Sequence, residues 1–139
     1  MIRAAAFFIG ASLLGLATPL PAQNAQVTRG EQQLSKLVAD RIPGKPVGCI
    51  RLRNIRSSRV LDGTAIVYES LGGRLYVNRP EVGAQTLRSD DILLTKTPSG
   101  ELCSVDIVRL IDQGSRFEHG FVGLNQFVPY DPPEKKRSS

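Results

Sequence analysis

The sequence predicts a mainly β fold: a small antiparallel sheet rolled into a partly open barrel or meander of five to six strands, with a short N-terminal helix and one disulfide. Three observations carry this reading. From Cys49 onward, turn signals punctuate apolar runs roughly every 8 to 15 residues, the spacing of antiparallel β proteins. The only two cysteines, Cys49 and Cys103, both lie in strand-like sequence. The apolar alternation is also interrupted in a way that demands curvature rather than a flat sheet.

A chain of 139 residues is one small domain. Its first 22 residues are excluded from the fold. Met1-Ile2-Arg3 gives a short positive start and residues 4–17 form an uncharged apolar run, too short to span a bilayer. Thr18-Pro19-Leu20-Pro21-Ala22 follows with a small residue at the expected cut, so residues 1–22 are a signal peptide and the mature chain begins at Gln23. Removing Arg3 leaves 17 basic against 13 acidic side chains, a net charge of +4. Nothing after Ala22 is apolar enough for a membrane span, and no cysteine near the cut offers a lipid attachment atom. The expected location is periplasmic or secreted.

Residues 23–45 are a polar lead and helix. Thr28-Arg29-Gly30-Glu31 fits a capping box that starts the helix at Arg29. Leu34, Leu37, Val38 and Ile42 give a narrow apolar stripe before Pro43-Gly44 ends it, a helix suited to covering one side of a sheet. Residues 46–130 form the β domain. Residues 49–61 read as a long strand, Asp62-Gly63 as a hairpin turn, 64–70 as a second strand, Gly72-Gly73 as a turn and 74–78 as a third strand. Arg79-Pro80 stops pairing because Pro has no amide hydrogen. After a loop, 92–97 is strand four, Thr97-Pro98-Ser99-Gly100 a turn, 101–111 strand five and 121–128 strand six. Pro129 begins a solvated run, and 131–139 are a disordered tail.

Within strand one, Ile50 and Leu52 oppose Arg51 and Arg53, but Ile55 breaks the phase. A bulge near Asn54 would return it to the core. Strand five sets Cys103, Val105 and Ile107 on one face and Val108 and Leu110 on the other, as in a strand that bends or is covered on both sides. In an exported chain the Cys49/Cys103 pair is read as a disulfide, at the end of the barrel or under the helix. A thiol or metal site would need CxxC or clustered histidines, which are absent.

Catalytic constellations are sparse. His119 is the only imidazole, placed by its Glu118-His119-Gly120 context in an exposed loop. No GxSxG elbow, HExxH pair, phosphate loop or dinucleotide fingerprint occurs. Asp90-Asp91 reads as a loop pair. Asp106 lies inside apolar strand five, where a partner such as a strand-one arginine is expected. The uneven feature is Arg51, Arg53, Arg56 and Arg59, four guanidinium groups within nine residues. They suit planar pairing with carboxylate or phosphate, or a solvated sheet face with local ion pairs. Stacking aromatics are not interleaved with them, which argues against a specific nucleic-acid site.

The motifs Cys49-Ile50-x-Leu52-x-x-Ile55-Arg56, Asp62-Gly63-Thr64, Leu102-Cys103-x-Val105-Asp106 and Phe127-Val128-Pro129-Tyr130, in that order over residues 46–130, resemble an uncharacterised family of small exported proteobacterial proteins, a domain of unknown function. The resemblance implies a Gram-negative periplasmic setting and a compact β domain, and it brings no catalytic residue. The expected function is a non-enzymatic binding or interaction module of the cell envelope. It would use no cofactor or metal and meet an envelope protein or an anionic envelope component through the arginines. The alternative is a small periplasmic hydrolase or other enzyme using His119 with Asp106 or Asp91.

Overall fold

Turn chemistry sets the pairing. In the computed structural model, which describes residues 22–134, Gly63 and Gly73 adopt φ of 59° and 83°, open to glycine because it lacks a Cβ. They close two successive hairpins. The order is α1 (Ala22–Val38), β1 (Ile42–Pro43), β2 (Cys49–Arg51), a 3-10 turn (Leu52–Asn54), β3 (Ile55–Leu61), β4 (Ala65–Ser70) and β5 (Leu75–Asn78). A second 3-10 turn (Ala84–Thr86), β6 (Asp91–Leu94), β7 (Glu101–Cys103), β8 (Ile107–Asp112), β9 (Glu118–Gly123) and β10 (Phe127–Asp131) follow. The pairings are antiparallel in a five-stranded sheet β1-β10-β5-β4-β3, a three-stranded sheet β6-β8-β9 and a two-stranded ladder β2-β7. The fold is mainly β with one helix, and its sheets do not close into a barrel.

Curvature is obtained by breaking long strands. Residues 49–61 change sheets at the first 3-10 turn, and a register irregularity between Ile55 and Ser57 brings Ile55 against the core. Strand five divides at residues 104–106 into β7 and β8, so Cys103 and Val108 belong to different sheets.

Side-chain alternation along β4 separates two cores. Ile66 and Tyr68 pack with Val60, Leu102, Val108, Leu110, Val122 and Phe127 between the large sheet and the smaller ones. Ala65 and Val67 face the other way, with Leu61, Leu75 and Val77, beneath Leu34, Leu37 and Val38 of α1. The layers therefore run helix, five-stranded sheet, smaller sheets.

Three expectations are corrected. The capping box does not start the helix: α1 runs through Thr28, and Glu31 bonds to Arg79 through both carboxylate oxygens. No breaker separates Ala22 from Thr28, so the capping preference is overridden. At the other end α1 stops at Val38, the Arg41 N–H donates to the Val38 carbonyl, and Ile42 joins the edge strand β1 and is exposed. The last strand does not end at Val128, because Pro129, Tyr130 and Asp131 belong to β10. Gly44 N–H donates to the Pro129 carbonyl at 2.7 Å. The side of Pro129 without an N–H thus faces the two-residue edge strand, where little pairing is lost. The expected signal peptide, save Ala22, and residues 135–139 of the expected tail lie outside the described residues.

Candidate functional site

Cys49 and Cys103 stand directly opposite in the β2-β7 ladder and form a disulfide. Ser104 N–H donates to the Gly48 carbonyl at 2.7 Å, so the cysteines occupy a non-hydrogen-bonded pair, the position where cross-strand side chains approach most closely. Cys49 is exposed, so the bridge does not lie beneath the helix. Glu101 sits close to both sulfurs and, among the described residues, this is the one grouping of potential metal ligands. The bridge consumes both thiolates that a metal would need, and Glu101 accepts from Arg51 at 3.3 Å.

The four arginines are divided. Arg51 lies on β2 and Arg53 in the 3-10 turn, both lining a hollow of about 370 Å³ with Ser99, Gly100 and Glu101. Arg56 and Arg59 lie on β3, so the four do not share one extended strand. Arg51 pairs with Glu101 and Arg56 with Glu69. These are exposed pairs of small energetic weight. No described residue forms an ion pair or side-chain hydrogen bond with Arg53 or Arg59.

Arg59 is the arginine set against a concavity. β3 is an edge of the five-stranded sheet; Arg59 pairs with Val67 and Leu61 with Ala65, which puts Arg59 on the helix side. There a groove of about 470 Å³ runs between α1, with Gln33, Lys36 and Leu37, and β3, with Arg59, Val60 and Leu61. A second hollow of about 220 Å³ shares Leu37 and Arg59 and is also lined by Arg41, Ser57, Ser58 and Glu69. Its one carboxylate, Glu69, is engaged by Arg56 and by the Ser57 hydroxyl. Arg41 donates to the Gly73 carbonyl at 2.7 Å. Lys36, like Arg59, has no partner among the described residues. Segment 87–89 covers the far end of the edge, where Gly63 N–H reaches the Leu87 carbonyl and Ser89 N–H reaches Asp62. The open stretch is therefore residues 57–60. Lys36 and Arg59 line one groove only because of how α1 docks on the sheet.

His119 is not in an exposed loop. It lies in β9 at a register irregularity, and its Nε2 meets Asp91 Oδ1 at 2.6 Å. The Asp91 side chain is wholly buried and also accepts from Arg88 N–H at 2.9 Å. The pair spans β8, tying β6 to β9. No hydroxyl or thiol among the described residues bonds to His119. Asp106 is not paired with a strand-one arginine: its carboxylate accepts from Cys103 N–H at 2.7 Å and closes the β7-β8 turn. The hairpin register sets Ile107 opposite Gly123 and Ile111 opposite Glu118, so Asp106 and His119 lie at opposite ends of β8, roughly 13 Å or more apart at ~3.3 Å per residue. They do not converge on one cleft. Among the described residues no helix is long and apolar enough to cross a membrane.

Comparison with protein-family models, with curated proteins and with solved structures gives no match for this chain.

Proposed function

We propose that this protein is an exported, non-enzymatic binding module of the cell envelope that takes an extended acidic segment of a partner along β3. One observation carries the reading: the unpaired cations Lys36 and Arg59 flank an apolar groove beside an open sheet edge. An edge strand presents unpaired N–H and C=O groups that an extended chain can complete as an added strand. The cations supply steering and selectivity for negative charge, and Leu37 gives alternate side chains an apolar floor. The disulfide and the leader-like N-terminus support a periplasmic or secreted setting.

The test is binding of acidic and neutral extended peptides, and of anionic envelope polymer, to wild type, Arg59→Ala, Lys36→Ala and Arg51→Ala at two salt concentrations. Acidic peptide should bind in a salt-sensitive manner. Arg59→Ala and Lys36→Ala should each weaken it severalfold, with Arg51→Ala close to wild type. Amide resonances of residues 57–60 should shift on binding. Binding indifferent to Arg59, Lys36 and salt would overturn the reading, and polymer binding without a shift at β3 would remove the strand-addition mechanism.

A further inference from the structure

The outer face of the three-stranded sheet is apolar and bare among the described residues. Pairing sets Leu93 opposite Leu110 and Val108 opposite Val122 on the inner face, where they pack on the core. Ile92, Leu94, Ile107, Ile111 and Phe121 therefore lie on the other face, with Ile107 59% and Phe121 52% exposed. The large sheet has α1 over its outer side, but this sheet has no covering layer. At the centre of the bare face, Arg109 is directly opposite Phe121 and forms an ion pair with Glu118.

We infer that this face is the contact between two copies of the chain, packed sheet on sheet about a two-fold axis. Two arguments select a second copy. The exposed apolar area is on the order of 400 Å², close to the apolar share, about 57%, of the ~800 Å² that each partner contributes to a standard interface. The central charges are self-complementary: a cation beside an anion is matched by its own two-fold copy, so that each Arg109 meets the other copy's Glu118 as well as its own. Because Glu118 neutralises Arg109, the pair itself offers an anionic lipid surface or polymer no net attraction. The face lies on the opposite side of the molecule from the β3 groove, so a dimer would leave both grooves open.

Sedimentation of the full exported chain with its disulfide formed tests the inference. Wild type should move from monomer to dimer over a hundredfold rise in concentration. Arg109→Glu and Glu118→Arg each place two like charges at the centre and should be monomeric, while an equal mixture of the two should recover the dimer because opposite faces then meet. Recovery on mixing also shows that both variants are folded. Phe121→Ser should raise the dimer dissociation constant at least tenfold with an unchanged circular dichroism spectrum. A wild type that stays monomeric throughout, or single charge variants that dimerise as wild type does, would overturn the inference. Co-sedimentation with phosphatidylglycerol vesicles, strengthened by Glu118→Arg, would assign the face to lipid and equally overturn it.

Discussion

At the residue scale, Tyr68 and the Asp91–His119 pair are buried polar features with opposite consequences. The Tyr68 ring is buried edge-on to Phe127 at 5.9 Å between centroids, and its hydroxyl has no hydrogen-bond partner among the described residues. Burial pushes the phenol well above its ordinary value of 10.0, because an ionised oxygen there would be desolvated. A pKa raised in the folded state gives stability that is complete below the unfolded value and is lost as pH rises above it. Tyr68→Phe should therefore leave stability near neutral pH unchanged or raise it by about 1 kcal/mol. It should also flatten the decline above pH 10, read from denaturant midpoints across an alkaline series. His119 behaves differently. His119→Ala strips the wholly buried Asp91 carboxylate of its imidazole partner and should cost about 1–3 kcal/mol, measured by chemical unfolding. A variant as stable as wild type would place no weight on the Asp91–His119 tie.

At the scale of elements, the helix is held by close approach as well as by its apolar stripe. Gly30 is buried in the middle of α1, and a Cβ there would lie 2.1 Å from Thr64 Oγ1 and 2.4 Å from the Asp62 carbonyl. Alanine is ordinarily favoured over glycine in a helix by about 1 kcal/mol. At this position the backbone of the β3-β4 turn cannot yield cheaply, so Gly30→Ala should lower the thermal midpoint, the overpacking of ~1–3 kcal/mol exceeding the propensity gain. Alongside, Glu31 is held by Arg79, whose hydrogen bonds lower the carboxyl below its ordinary value against the opposing effect of burial. This pair anchors α1 to the end of β5, away from the β3 edge.

For the whole molecule, the two strands of the small ladder β2-β7 are cross-linked by a disulfide whose cysteines are 54 positions apart in the chain. Chain-entropy reasoning for such a loop gives at most about 4 kcal/mol, a large share of a small domain's stability. Cys49→Ser and Cys103→Ser should each lower the unfolding midpoint, and the double substitution should lose no more than either single one, since all three remove the same cross-link. Two thiols titrated in denatured, unreduced wild-type protein would contradict the bridge. The prediction belongs to this scale because β2 and β7 bracket the entire β3-β6 segment.

Local chemistry in the sequence determined the β class, the turns at Asp62-Gly63 and Gly72-Gly73 and the bend near Asn54, because each depends on residues within a few positions of one another; the cysteine pair, 54 positions apart, was legible because the chain has no other cysteine to pair with. Alternation also separated Val108 and Leu110 from Val105 and Ile107, but it could not say that only one of those faces is covered. Tertiary structure alone decided that Arg51 and Arg56 meet carboxylates while Arg59 meets Lys36 across a groove. It also decided that His119 reaches Asp91, 28 positions away, and that Pro129 to Asp131 extend a strand rather than a tail. Side-chain periodicity records which way a residue points but not what stands opposite. The opposite partner is set by sheet order and helix docking, which arise from burying two cores at once and not from any local preference.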